Sequence, residues 1–497
     1  MEQLKLGWAR REISVEGPVS IPGQTYMRLS EGIQDPLYVT ALVVDGGEGQ
    51  DHVVFCSCDI ITLTNNVIAD TCQLVSQLRP EINTAAIVMN ATHTHSGCNI
   101  RPNQPSVSPD GKPIYPADKY REFFVKMCAE AIVEAWDNRS EGGIGYGYGY
   151  AVVAHTRRVC YFHDQSLKSN SVAPNGHCIM YGNTNDPDFS HYEGGADHFL
   201  NLMFTFDKQN KLTGVVVNVP CPSQVTEQLT RLSADYWHDV RQILTKKYGD
   251  IGILSQCAAA GDLAPRILHY NKAEERRFRM KYADAQLDSR FDSAKEKLRR
   301  MDIAQRICEA FDEVLSWAGK ELIRDAEVKH SVRDISVPRR LVAKELYEDA
   351  LVELPKLEQA GFVHTDDPMR DYINNTVRTS GISRYKGIIR RYEEQQADPN
   401  TKVELHTIRI GDIAFASNPF ELYIDYQHRI QARSPFLQTF IVQLCAKPDG
   451  NYSAGYLATE RAVANVGYSA AIYDNQVAPE GGTKLVEETL KDLNALI

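Results

Sequence analysis

The sequence predicts a mixed α/β (α+β) protein: a β-sheet core with flanking helices and a helix-rich insertion. Three observations point there. Short β-branched apolar runs recur both before residue 271 and after residue 396. Segments with apolar residues spaced three and four apart stand among them. Between 271 and 396 the composition turns charged and helical.

The elements follow in order. "LYVTALVVDGG" (37–47) and "HVVFCSCDIITLT" (52–64) are strand-like runs joined by a glycine-rich turn. "NNVIADTCQLVSQLRP" reads as a helix stopped by Pro80. "TAAIVMNAT" (84–92) reads as a buried strand, and 119–138 as an amphipathic helix. "FLNLMFTFDKQNKLTGVVVNVPCPSQV" reads as a hairpin ending at Pro220 and Pro222. The strand pattern resumes at 404–419, a helix follows from Phe420, and 440–450 is a last apolar run. We read 1–497 as a single elaborated domain, with 271–396 as an insertion or lobe within it.

Of the 497 residues, 43% are hydrophobic and 24% charged, as in folded globular proteins. The net charge of −11 supplies no basic field to collect phosphates. Nucleic acid and anionic membranes are therefore not expected partners, and a small-molecule substrate is. The N-terminal segment shows no apolar core of a secretory leader, and no run approaches the roughly 18 apolar residues of a membrane span. A cytoplasmic location is the expectation. The eleven cysteines are scattered, several within apolar runs (Cys56, Cys58, Cys178, Cys257, Cys445). Buried reduced thiols explain them better than a disulfide framework.

Chemistry concentrates where strands end. "THTHSG" (92–97) closes an apolar run with His93 and His95. On an extended chain these point to one side, roughly 7 Å apart. Neutral imidazole is a common zinc ligand, and the same pair could be two hydrogen-bonded rings at a strand end. Three further junctions carry Cys221 between two prolines, Asp262 in "AAAGDLAP", and Glu421 after an Asn-Pro turn. A fourth carries Tyr452 and Tyr456 in a glycine-rich loop.

Taken in series, these fragments resemble the catalytic domain of the neutral, non-lysosomal ceramidases. The likeness runs through "GIQDPLYVTALVVDGG", "CDIITLT", "THTHSG", the "RR" at 157–158, "GVVVNVPCP", "AAAGDLAP", "GDIAFASNPFELY" and "NYSAGYLAT". Members of that family are zinc amidases. The resemblance implies Zn2+ held by His93, Glu421 and Tyr456, with His95 and Arg157 (or Arg158, one register on) stabilising an oxyanion.

Two departures limit it. Cys221 stands where the family has its second histidine ligand, so a thiolate or the nearby His238 could replace it, or the ligand is absent and Cys221 is an inert thiol. Ala264 stands where the family has a serine, and alanine offers no hydroxyl. Asp262 remains, either as a general base or substrate clamp or as a turn or cap aspartate. The small sandwich domain that follows the catalytic domain in ceramidases is not expected. The segment 163–198 carries His163, His177, His191, His198 and Tyr192 and suits a hydroxyl-rich ligand better than an acyl chain.

The expected function is a metal-dependent hydrolase of a polar small molecule, carbohydrate-derived compounds included, acting on an amide, ester or glycosidic bond. A metal-free glycosidase or lyase on the same fold is the alternative, and a non-catalytic binding protein is the third.

Overall fold

In a computed structural model the protein is described over residues 3–24, 26, 28–101, 113–168, 175–283, 294–445 and 454–497. The fold is mixed α/β around a large central sheet. The longer strands before residue 260 are β1 (Lys5–Glu12), β2 (Tyr38–Asp45), β3 (His52–Cys58), β4 (Ile87–Ala91), β5 (Ser140–Tyr150), β6 (Arg158–Tyr161), β7 (Cys178–Met180), β8 (Phe189–Tyr192), β9 (Phe199–Asp207), β10 (Leu212–Val219) and β11 (Gly252–Cys257). Eight of them form the main sheet in the order β11-β10-β9-β5-β1-β2-β3-β4. Its middle is antiparallel and both outermost pairs are parallel.

Both faces of this sheet are covered, which is why β2 and β3 read as continuous apolar runs rather than alternating ones. Val39, Ala41 and Val43 face a helical layer containing Phe124, Cys128 and Ile132 of α2 (Ala117–Asp137). Leu42, Val44 and Phe55 face the other way, onto a second sheet. That sheet has the order β12 (Val328–Pro338), β13 (Asn400–Ile410), β14 (Ile413–Ser417), β16 (Gln438–Val442). The Phe55 ring lies 4.8 Å from Phe415, which stacks at 4.3 Å on Phe440.

Helix α1 (Asn65–Leu78) lies where the sequence places it, and α3 (Tyr236–Tyr248) adds a helix between β10 and β11. The Gly-Tyr alternation of β5 has a packing cause. A Cβ at Gly145 would stand 2.6 Å from the Ala318 carbonyl oxygen, and one at Gly147 would fall on the Trp317 ring. Both partners belong to α5 (Ala294–Ala318), so glycine is what lets this helix lie close against the strand.

The segment read as helix-rich contains α4 (Asn271–Lys281), α5, α6 (Lys344–Gln359) and α7 (Pro368–Ala397), but β12 runs through it. This strand pairs along its whole length with β13. Its sequence, "VKHSVRDISVP", carries a period-two signal masked by polar residues, because much of the strand is only half-buried. The helix expected from Phe420 starts later: Glu421–Leu422 is a short strand, β15, and α8 spans Ile424–Gln431.

Arg300 of α5 is fully buried and links three parts of the chain. Its guanidinium donates to Asp239 of α3 (2.8 Å), to Asp35 (3.1 Å) and to Ser233 Oγ (3.0 Å). Removing it leaves buried Asp35 without its cation and Asp239 with Lys297 alone (2.9 Å), a loss of about 3–5 kcal/mol. Arg300→Ala should therefore lower the urea midpoint of the full-length protein strongly, whereas Arg10→Ala, at the exposed Arg10–Asp250 pair, should scarcely move it.

Candidate functional site

β4 ends at Ala91 and the chain bends at once. His93 has φ 63°, a left-handed conformation that costs a residue with a side chain about 1–3 kcal/mol. Surrounding segments hold the bend. Thr92 N–H donates to Cys58 O (2.9 Å), and Ser223 Oγ donates to Thr92 O (2.8 Å). Thr94 Oγ1 donates to Ser233 O (2.7 Å), beside the Arg300 network.

The bend overturns the extended-chain spacing expected for the two histidines. Their Nε2 atoms lie 3.4 Å apart and their rings meet edge to face. Gly23, with φ 107°, makes room for this, since a Cβ there would come within 2.7 Å of His95 Nδ1.

Glu421 arrives from the other end of the chain. It pairs in parallel register with Tyr456, where β15 meets β17 (Tyr456–Leu457). Its Oε2 is 3.4 Å from His93 Nε2. Burial pushes the Glu421 carboxyl up, but His93, Arg157 and a hydrogen bond from Tyr456 together hold it below its usual value. Burial and the Glu421 charge keep Tyr456 a neutral phenol. Arg157 donates to Tyr181 Oη (3.2 Å), to Gly261 O (2.9 Å) and to Tyr456 Oη (3.5 Å). Burial, with His93, Arg28 and Arg157 nearby, lowers the His95 pKa well below the ordinary value, so this ring is neutral at neutral pH.

The donor set can be tested against a metal. His93 Nδ1 lies 2.7 Å from the Ile61 carbonyl oxygen, which fixes the proton on Nδ1 and leaves a lone pair on Nε2. That lone pair faces a carboxylate oxygen. Two acceptors at 3.4 Å repel unless a proton or a metal lies between them. Metal–ligand bonds of about 2.1 Å at tetrahedral angles put neighbouring donors about 3.4 Å apart. The His93–Glu421 separation matches that edge, whereas among the described residues His95 forms no group of three close donors with the other two, so His93 and Glu421 are the pair that fits a zinc-sized ion and His95 stands beside it.

The remaining expected residues lie elsewhere. Cys221 is buried, and burial, with Cys257 and Asp235 adding to it, pushes its thiol well up. Among the described residues it forms no group of three close donors with His93 and Glu421. The thiolate substitution expected there is not what the geometry offers. His238 stays on α3 among Asp35, Asp239 and Arg300, and does not join the cluster either. Two groups that could hold a metal do occur, Cys56–Cys58–Cys128 and Cys160–Cys178–Glu193, and neither includes a residue of this cluster. Arg158 is locked to Glu193 at 2.6 Å, which leaves Arg157 as the arginine of the cluster. Asp262 Oδ1 accepts from Ile424 N–H (3.0 Å), capping the start of α8, while its backbone oxygen receives Arg157 N–H (3.1 Å). Ala264 is buried in a short pairing with His155. Tyr452 lies outside the described residues. Of the 163–198 histidines, His163 pairs with Asp188, and His177 and His191 are exposed.

Two residues at the site carried no signal recognised in the sequence. Tyr181, at φ 57°, receives both Arg157 and Gln224, and only its tertiary position reveals it. Arg101 is open to solvent, yet surrounding atoms lower its pKa while the Glu421 charge opposes that. Following the chain past "THTHSG" would have found it.

No known family profile matches the sequence, and no curated protein does. The fold, however, is similar to that in the crystal structure of neutral ceramidase from Pseudomonas aeruginosa. The TM-score is 0.65 at 15% identity, covering 100% of this chain and 75% of that one. A ceramidase complexed with C2 gives 0.64, again at 15% identity with the same coverage. The ceramidase-like fold expected from the sequence is thereby shown. No helix among the described residues is long and apolar enough to cross a membrane.

Burial raises the Asp262 pKa to about 7 from an ordinary 3.8. The folded state then keeps a proton that the unfolded state releases, so stability falls as pH rises from about 4 to about 7. Asp262→Asn retains the acceptor for Ile424 and removes this titration. Its urea midpoint relative to wild type should rise more at pH 8 than at pH 5, and an equal change at both pH values would contradict the assignment.

Proposed function

We propose that the protein is a metal-dependent hydrolase acting on a polar small molecule, at an amide, ester or glycosidic bond. The observation that carries this is the placing of His93 Nε2 one tetrahedral edge, 3.4 Å, from Glu421 Oε2, with Tyr456 hydrogen-bonded to the carboxylate and His95 on the other side of His93. The likeness to ceramidase structures supports a hydrolase on this fold.

His93, Glu421 and Tyr456 would hold the ion, with His95 beside it. A bound zinc supplies Lewis acidity and lowers the pKa of a water to about 7. The chain's own groups do the rest. The Ile61 carbonyl fixes the tautomer of His93, so Nε2 always faces inward. Glu421, held ionised, provides the anionic donor and accepts a proton. Neutral His95 can donate a hydrogen bond to negative charge developing on the substrate, and buried Arg157 adds a fixed cation nearby.

Among the described residues, exposed Arg101 and Tyr468, the latter's ring 5.7 Å from Tyr456, border the half-buried His95 and Glu421, which favours a polar substrate, carbohydrate-derived compounds included. Ala264 removes a hydroxyl that the ceramidase pattern carries, which argues against ceramide itself.

Elemental analysis tests the reading. Wild type from metal-replete culture should carry near-stoichiometric zinc, and His93→Ala and Glu421→Ala only traces. Arg157→Ala should keep zinc but lose about 10²–10³-fold in kcat on whichever N-acylated or glycosidic compound a screen identifies. Wild type without bound metal would sink the proposal.

A further inference from the structure

Strands β6 and β7 set Cys160 directly opposite Cys178. The backbone hydrogen bonds fix what kind of pair this is. Tyr161 N–H donates to His177 O (2.9 Å), and Tyr181 N–H donates to Arg157 O (2.7 Å). Antiparallel ladders alternate, so 157–181, 159–179 and 161–177 are hydrogen-bonded pairs and 160–178 is a non-hydrogen-bonded one. In such pairs the Cα atoms approach to about 4.5 Å and the side chains lie closest. Disulfides span Cα separations of about 4.4–6.8 Å. The two thiol sulfurs already lie within 4.8 Å of each other and of the Glu193 carboxylate.

That carboxylate is committed elsewhere. Arg158 Nε donates to one oxygen (2.6 Å) and Nη2 to the other (3.0 Å), and Asn465 adds a third hydrogen bond (3.0 Å). A metal at the trio would have to compete with the Arg158 guanidinium for its carboxylate. Two facing thiols without that ligand favour oxidation over coordination.

We propose that Cys160 and Cys178 are an oxidisable pair that closes into a cross-strand disulfide when a hydroperoxide reaches them. The Cys160 thiolate attacks the peroxide, forming a sulfenic acid and releasing hydroxide. The Cys178 thiolate then displaces hydroxide from that sulfur as the S–S bond forms. Two thiols lose two electrons in total, and hydrogen peroxide becomes two waters. The direction follows from the surroundings: Asn465 Nδ2 donates to Cys160 Sγ (3.9 Å), which stabilises an anion on that sulfur, and the hydrogen bond from Cys178 acts the same way, while donating that bond and burial push the Cys178 thiol up. Both thiols are covered in the closed fold. The strand pair ends one residue further on, at the 161–177 pair, where His177 itself and the next residue, Phe162, are exposed, so fraying of that end opens a path.

The bond would act on the site already described. β6 and β7 lead at their other ends to Arg157 and Tyr181, whose side chains meet at 3.2 Å. A covalent link three rungs away pins the strands that carry both. The linkage itself depends on the strand register and not on what the site hydrolyses.

Native full-length protein treated with hydrogen peroxide should show two fewer of its eleven thiols on denaturation. Peptide mapping should join 160 to 178, and dithiothreitol should reverse it. The thermal midpoint should rise by about 2 °C or more. In Cys178→Ser, dimedone should trap a sulfenic acid at Cys160, whereas Cys160→Ser should give no adduct at 178. Wild-type mapping decides the matter even if a variant misfolds. A first linkage elsewhere, for instance within Cys56, Cys58 and Cys128, or no linkage at all, overturns the proposal.

Discussion

The left-handed turn at His93 is the constraint on which the site depends. An extended chain would carry the two imidazoles roughly 7 Å apart along one side of a strand. The bend instead folds them onto each other and aims His93 Nε2 at Glu421. Such a conformation persists only where its surroundings over-determine it. Here three anchors do so: the Cys58 carbonyl from β3, the Ser223 side chain after β10, and the Ser233 carbonyl before α3. Ser233 in turn is gripped by Arg300 and Asp35, so an ion network buried beneath the sheet reaches the reactive centre through one serine.

The fold explains why residues from distant parts of the sequence can meet. Packing the two sheets face to face places the ends of β4 and β10 beside the segment that follows β14, and Glu421 enters there. The parallel pairing of Glu421 with Tyr456 then fixes carboxylate and phenol as neighbours. The second departure from the ceramidase pattern, Ala264, sits in a buried short strand whose neighbour Asp262 serves as a cap for α8. That corner holds structure around Arg157 rather than adding a nucleophile.

Much of this was legible beforehand. The apolar runs announced the central strands, because a sheet covered on both faces leaves no polar alternation. The series of short motifs gave His93, His95, Arg157, Glu421 and Tyr456, which the structure gathers. β12 was hidden, because half-buried strand residues such as Lys329, His330 and Arg333 resemble a solvated helix in composition. Cys221 was a reasonable substitute ligand by position, yet its sulfur lies among Cys257, Tyr236 and Asp235 instead. Tyr181 and Arg101 gave no recognised signal, since both act through neighbours far away in sequence.

The sequence by itself determined the class of fold, the strand ends where chemistry gathers and the residue types able to hold a metal. These are local properties, set by periodicity, turn chemistry and donor identity. Only the tertiary structure decided which arginine of the 157–158 pair joins the cluster, that Asp262 caps a helix, and that His93 and Glu421 stand one tetrahedral edge apart. It also decided that Cys160 faces Cys178 in the narrow pair of its ladder. Those outcomes depend on register, backbone strain and the packing of one sheet on another, which join residues that the linear chain keeps hundreds of positions apart.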